Sequence, residues 1–163
     1  MNTLNKSLFI MEVDYTVNIQ LHKITPELEH ECTQLSVSAG QLDLVASNAD
    51  SLEHATNEPT SVPYGIFNEE EMVGFILFDN ERYTDGYYWI MRFMIDGRFQ
   101  GKGYGKAAIK EVIKMLSSRE DCTQIRVSHI PINLAANKLY KSVGFTETGE
   151  FEDNGDIILA YTM

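Results

Sequence analysis

The chain changes its hydrophobic period several times, and each change marks an element. Residues 17–22 (VNIQLH) alternate apolar and polar, as a strand with one buried face does. Thr25 then stands as an N-cap, with Pro26 at the first helical position and Glu27 and Glu29 in the first turn, so a helix is expected that ends before Gly40. A loop over 40–47 leads to a second, short helix at 48–57 behind an Asn or Asp cap. Residues 63–68 and 72–79 are β-rich runs joined by three glutamates, which predicts a hairpin. Residues 87–96 (YYWIMRFMID) make the longest such run. A strand so continuously apolar is expected to be buried on both faces and central in its sheet.

Beyond residue 100 the period lengthens. Gly105, Ala108, Ile109, Val112, Ile113 and Leu116 recur at helical spacing, with Lys106, Lys110, Glu111 and Lys114 opposite them. Residues 124–130 (QIRVSHI) alternate again as a strand. Residues 133–143 place Ala136, Leu139, Tyr140 and Val143 on one side of a helix that Gly144 closes. Residues 145–152 and 156–162 flank Asn154-Gly155, a strong hairpin signal. The order strand, helix, helix, three strands, helix, strand, helix, hairpin predicts an α/β fold: one mixed sheet with helices on both faces. Within it, residues 87–130 form a βαβ crossover of right hand.

At 163 residues the chain suits one domain, taken as 17–163 behind a poorly ordered leader, 1–16, in which Met11 offers an alternative start. No apolar run approaches the roughly 18 residues of a membrane span, and the patch at 8–11 is too short for a signal-peptide core. A cytoplasmic protein without membrane attachment is expected. Cys32 and Cys122 lie far apart without metal-ligand spacing, so packed thiols are expected, with no disulfide and no metal site. The formal charge of −11 is uneven: residues 1–97 hold 16 acidic and 4 basic residues, and 98–163 hold 8 and 9. Such a field repels nucleic acid and attracts cations.

The most specific chemistry lies in Gln100-Gly101-Lys102-Gly103-Tyr104-Gly105-Lys106, between the central strand and the amphipathic helix. Glycines at alternate positions let backbone approach a ligand closely, and their N–H groups with the positive helix end make a phosphate site. Arg98, Lys102 and Lys106 add charge. A Walker loop would need Gly at 96 and Ser or Thr at 103, where Asp96 and Gly103 stand. A dinucleotide fingerprint would need an acidic residue ending the next strand, which instead reads Ser128-His129-Ile130.

The remaining pattern, Gln/Arg-x-x-Gly-x-Gly/Ala, is met by Gln100, Gly103 and Gly105. With the long strand before it, the Asn133 helix, Tyr140 and Gly144-Phe145, the chain resembles the GCN5-related N-acetyltransferase (GNAT) superfamily over residues 17–163. The resemblance implies a mostly antiparallel, twisted sheet splayed at its middle, and acetyl-CoA as co-substrate. It implies that backbone groups of Phe93, Met94 and Ile95 pair with the pantetheine arm, Met94 N–H polarising the thioester carbonyl. The loop from Gln100 through Gly101, Lys102, Gly103, Tyr104 and Gly105 to Lys106 would hold the pyrophosphate. Asn133 would bond the arm near Ala136, and Tyr140 would be the general acid. Asp96, Glu71, His129 and the acidic first half of the chain stay open as sources of the base.

Segments 41–52, 73–75 and 92–96 are similar to bacterial diamine and polyamine acetyltransferases, which implies a small cationic amine as acceptor. Arg92, where such enzymes often carry a carboxylate, departs from that pattern. Peptide acetylation and a non-catalytic acetyl-CoA-binding module are the alternatives, and a homodimer is the expected assembly.

Overall fold

The computed structural model describes residues 17–163; the expected leader, 1–16, lies outside the described residues. Eleven helices and strands follow in the expected order: β1 Ile19–Lys23, α1 Pro26–Gln34, α2 Asn48–Asn57, β2 Ser61–Asn68, β3 Glu71–Asp79, β4 Tyr88–Ile95, α3 Tyr104–Ser117, β5 Gln124–His129, α4 Leu134–Ser142, β6 Thr146–Phe151 and β7 Ile157–Thr162. The strands form one sheet in the order β1-β2-β3-β4-β5-β7-β6. The β4–β5 pairing is parallel and its neighbours are antiparallel.

Alternation along β3 explains why both faces of the sheet are covered. Ile76 and Phe78 join Ala108, Ile109, Val112 and Leu116 of α3 in one apolar cluster; Phe75 and Leu77 join Cys32 and Leu35 in another, against α1 and α2. A fully buried Phe or Leu stabilises by about 1.5–3 kcal/mol, so neither face can be stripped of its helices. Both cysteines are free and buried, and burial, with Glu29 and Glu31 nearby, pushes the Cys32 thiol up to about 12.

Local details depart from expectation in three places. Thr25 occupies the α1 cap position without a side-chain capping bond, and α2 is capped by Ser47, whose Oγ accepts the Asp50 N–H at 3.1 Å. Pro26 at the first helical position and Glu27 and Glu29 in the first turn favour the start of α1 instead. The 40–47 loop opens on a 3₁₀ turn, Ala39–Gln41. β4 is central but not buried throughout: Met91, Arg92 and Phe93 are half-buried because one edge of the strand faces a cavity.

Two devices hold β4 in place. Asp96 accepts from Ser36 N–H at 3.0 Å, Arg98 N–H at 3.0 Å and Arg98 Nε at 2.8 Å, tying the strand end to the segment after α1. Burial acts to raise the Asp96 pKa, but the guanidinium and the two N–H donors outweigh it and hold the carboxylate below its usual range. Gly74, on β3, lets that strand approach β4 closely: a Cβ there would lie 2.5 Å from Met94 O and 2.8 Å from Ile95 Cδ1. Gly74→Ala is therefore expected to destabilise the protein by about 1–3 kcal/mol through overpacking. Urea unfolding with an unchanged midpoint would refute this.

Candidate active site

The sheet opens because β4 and β5 stay together for only three residues. Tyr88, Trp89 and Ile90 pair with Ile125, Arg126 and Val127; the β3–β4 register then slips, with Phe78 opposite Ile90 and Leu77 opposite Arg92, so Met91 is a bulge. From there Arg92–Ile95 follow β3 while Ser128 and His129 follow β7. The gap enters a cavity of about 680 Å³.

Strand alternation decides which backbone groups face this gap. Asp96 N–H bonds Val73 O at 2.9 Å, so the neighbouring even residue, Met94, also turns its N–H toward β3. The groups left on the open edge belong to Phe93 and Ile95, and the expectation for Met94 N–H is corrected accordingly. Ile95 O is already taken, by Gln100 Nε2 at 2.9 Å.

The glycine loop borders the same cavity. Gly101 and Gly103 have φ of +76° and +83°, where a side chain would strain the backbone; a Cβ on Gly101 would meet no heavy atom within 4 Å, so open space lies before it. Gly103 is the N-cap of α3 and offers no side-chain acceptor, so the first N–H groups of a 14-residue helix point outward unspent. Gly101, Gly103, Tyr104, Gly105 and Lys106 all line the cavity, a cradle suited to a pyrophosphate. Lys102 does not line it; its Nζ sits 5.6 Å above the Phe99 ring. Gln100 reaches the wall but turns its side chain inward, donating to Gln41 Oε1 at 2.7 Å as well as to Ile95 O, and accepting from Ser38 Oγ at 3.2 Å. It is a strut rather than a free donor.

Across the gap, α4 presents Asn133, Ala136 and Tyr140. Asn133 Oδ1 caps the helix by accepting Ala136 N–H at 3.1 Å, which leaves its amide group as a donor. Tyr140 is 5% exposed, with Phe93 and His129 ring centroids each 6.5 Å away and Phe145 at 5.8 Å. Burial pushes its phenol well above the usual tyrosine range, so it keeps its proton through neutral pH.

Of the three suggested bases, Asp96 is spent on Arg98 and Ser36, and Glu71 is not on the wall. His129 is on the wall with both nitrogens engaged. Nδ1 lies 2.8 Å from Ile130 O and must donate to it; Nε2 therefore accepts from Asn137 Nδ2 at 3.0 Å. The cavity also carries residues that periodicity did not single out: Asp43, Asn48 and Ser51 on the α1–α2 side and, next to the His129–Ile157 pair, Asp156 on the last hairpin. A smaller cavity of about 350 Å³ shares Met91, Arg92 and Asp156 with the main one and adds Glu152 and Asp153. The detectable signal was polar residues, Asn48 and Ser51, on the buried side of a helix.

The acetyltransferase (GNAT) family profile matches residues 26–145. A spermine/spermidine N(1)-acetyltransferase of Bacillus subtilis is 32% identical over 148 residues, 88% of this chain and 97% of that one. The chain belongs to the GNAT acetyltransferase family. It is an acetyl-CoA-dependent N-acetyltransferase. Two solved structures share the fold of the enzyme. An aminoglycoside acetyltransferase in complex with coenzyme A has a TM-score of 0.74 at 18% identity, covering 89% of this chain and 95% of that one. An acetyltransferase from Salmonella typhimurium that modifies the N-terminal serine of ribosomal protein L7/L12 has a TM-score of 0.70 at 20% identity, with the same coverage of 89% and 95%. Among the described residues of the enzyme no helix is long and apolar enough to cross a membrane.

The strut yields a test. Gln100→Leu keeps the volume and removes three hydrogen bonds, so stability is expected to fall by about 1–2 kcal/mol. Amide exchange at residues 97–103 should accelerate more than in β1 or β2; uniform acceleration would contradict a local brace.

Proposed function

We propose that the enzyme acetylates a primary amine of a small diamine or polyamine, with Tyr140 as the proton donor to the leaving thiolate. One observation carries the reading: the open edge of β4, the uncapped start of α3 and the Tyr140 ring all border one cavity.

When bound, acetyl-CoA supplies a thioester carbonyl open to attack by an amine. The pyrophosphate would rest on the N–H groups of Gly103–Lys106, with Lys106 at the rim. Phe93 and Ile95, whose N–H groups stand on the free edge, would take up the pantetheine arm and polarise the carbonyl, with the Asn133 amide as a further donor. Tyr140 holds its proton at neutral pH and donates to the departing sulfur. His129 is occupied on both nitrogens, so the ammonium proton leaves through water toward Asp43 or Asp156.

The acceptor class is supported by the Bacillus relative and by the acidic walls, Asp43 on one side and Glu152, Asp153 and Asp156 on the other. A homodimer joined along a free sheet edge, β1 or β6, belongs to the same reading.

The acceptor is tested by an amine panel. Thiol release from acetyl-CoA is expected with spermidine, spermine and diamines, and preference for aminoglycosides or peptide N-termini would replace this acceptor class. Tyr140→Phe tests the acid. A positioned acid is worth roughly 10² to 10⁴, so kcat should fall by that factor with little change in KM or melting temperature. Wild-type turnover should also lack an alkaline fall due to Tyr140 up to at least the ordinary tyrosine pKa of about 10, because burial raises this phenol. A Phe variant with wild-type kcat, where chemistry limits the rate, removes Tyr140 from the mechanism.

A further inference from the structure

The chain has five arginines, and four of them end on a partner. Arg82 pairs with Asp121 at 3.2 Å, Arg98 with Asp96 at 2.8 Å and Arg126 with Glu150 at 3.0 Å; Arg119 donates to Asn80 Oδ1 at 2.6 Å. Arg92 is the exception. Its Nη1 reaches only the carbonyl of its own neighbour, Met91, at 2.7 Å, and its Nε is buried without an acceptor. Among the described residues no carboxylate lies within 4 Å of it, in a chain with 24 acidic residues.

The backbone puts this cation where the acceptor has to come. The Met91 bulge places Arg92 opposite Leu77, one residue before Phe93, the first residue of the open edge. Arg92 lines both cavities, in company with Asp156; Asp43 and Lys106 are the other charged groups on the main wall, and Glu152 and Asp153 are those of the smaller one. A plain diamine would bring an ammonium toward an unneutralised guanidinium, which is repulsive, and would leave the buried Nε–H unbonded. A carboxylate removes both penalties, because the guanidinium fork matches it in shape and charge.

We propose that Arg92 receives a carboxylate of the acceptor, so that among small diamines a diamino acid is preferred: amine groups for the acidic walls and one carboxylate for the arginine. This rests on the small-amine reading above and sharpens it. Acetyl transfer is unchanged: the N–C bond forms as the C–S bond breaks, the amine gives up its proton, and the thiolate gains one.

A matched pair isolates the effect. 1,5-Diaminopentane and lysine differ by one carboxylate, and their kcat/KM values are measured beside that of spermidine. In wild-type enzyme lysine is expected to exceed the diamine by at least about tenfold, the discrimination a site with buried polar groups gives against an analogue that cannot pair them. Arg92→Leu should invert the order, raising KM for lysine by roughly 10- to 100-fold and improving the diamine. Arg92→Lys, which keeps the charge without the fork, should fall between. Coenzyme A binding by calorimetry checks the fold of each variant; if Leu does not fold, the wild-type ratio and the Lys variant decide. Turnover of the diamine and spermidine with no gain from the carboxylate, or a ratio untouched by substitution, overturns the role of Arg92 and leaves the polyamine reading standing. Turnover of lysine without spermidine upholds Arg92 and removes polyamines as acceptors. Coenzyme-binding wild-type enzyme that acetylates none of the three overturns both.

Discussion

The structure turns on an interrupted pairing. Parallel strands gain from each further rung of hydrogen bonds, yet β4 and β5 give up after Ile90 and Val127. A peptide edge without partners inside a protein is costly, and it persists only where something else supplies partners. Here the bulge at Met91 swings β4 toward β3, and the antiparallel partner of β5, β7, carries β5 the other way. The cost is localised on Phe93 and Ile95, the edge proposed above to take up the pantetheine arm. Cavity, loop and phenol all take their positions from that divergence.

An opening in a sheet collapses unless it is braced, and the braces sit at the strand end. Asp96 fastens the turn after β4 to Ser36, and Gln100 spans from Ile95 O to Gln41 and Ser38. The contacts to Ser36, Ser38 and Gln41 join residues about sixty positions apart in sequence, so they form only once the segment after α1 has met the end of β4. The two apolar layers work in the same direction: α3 and α4 press one face, α1 and α2 the other, and β3 is shared by both.

How much of this is legible in the chain follows from what periodicity encodes. Element order and the place of the glycine loop are local patterns, and residues such as Ala108, Val112 and Leu116 declare their helix without knowledge of the fold. Register is a different quantity. The bulge at Met91 depends on how β3 lines up with β4, and only that alignment sends the Met94 N–H to β3 and the Phe93 N–H to the gap. Gln100 matches the loop pattern by identity, yet nothing local says that its amide folds back onto Ile95. Lys102 likewise lies in the loop but stacks on Phe99. Asp43 and Asn48 come from one segment and Asp156 from the last hairpin, so no spacing connects the two sides of the cavity.

The open edge of β4 is made of peptide groups, and this separates two kinds of mutational risk. A codon change replaces a side chain and leaves the N–H and C=O of that residue in place, so the strip offered by Phe93 and Ile95 survives most substitutions along the strand. The half-buried side chains of the same strand, Arg92 among them, are freer to vary than its buried ones, such as Trp89 and Ile90. On the role proposed for that strip, an enzyme arranged in this way can drift from one amine to another through single replacements, each intermediate still able to hold its donor. Its evolutionary freedom is written into the division between main chain and side chain on one strand.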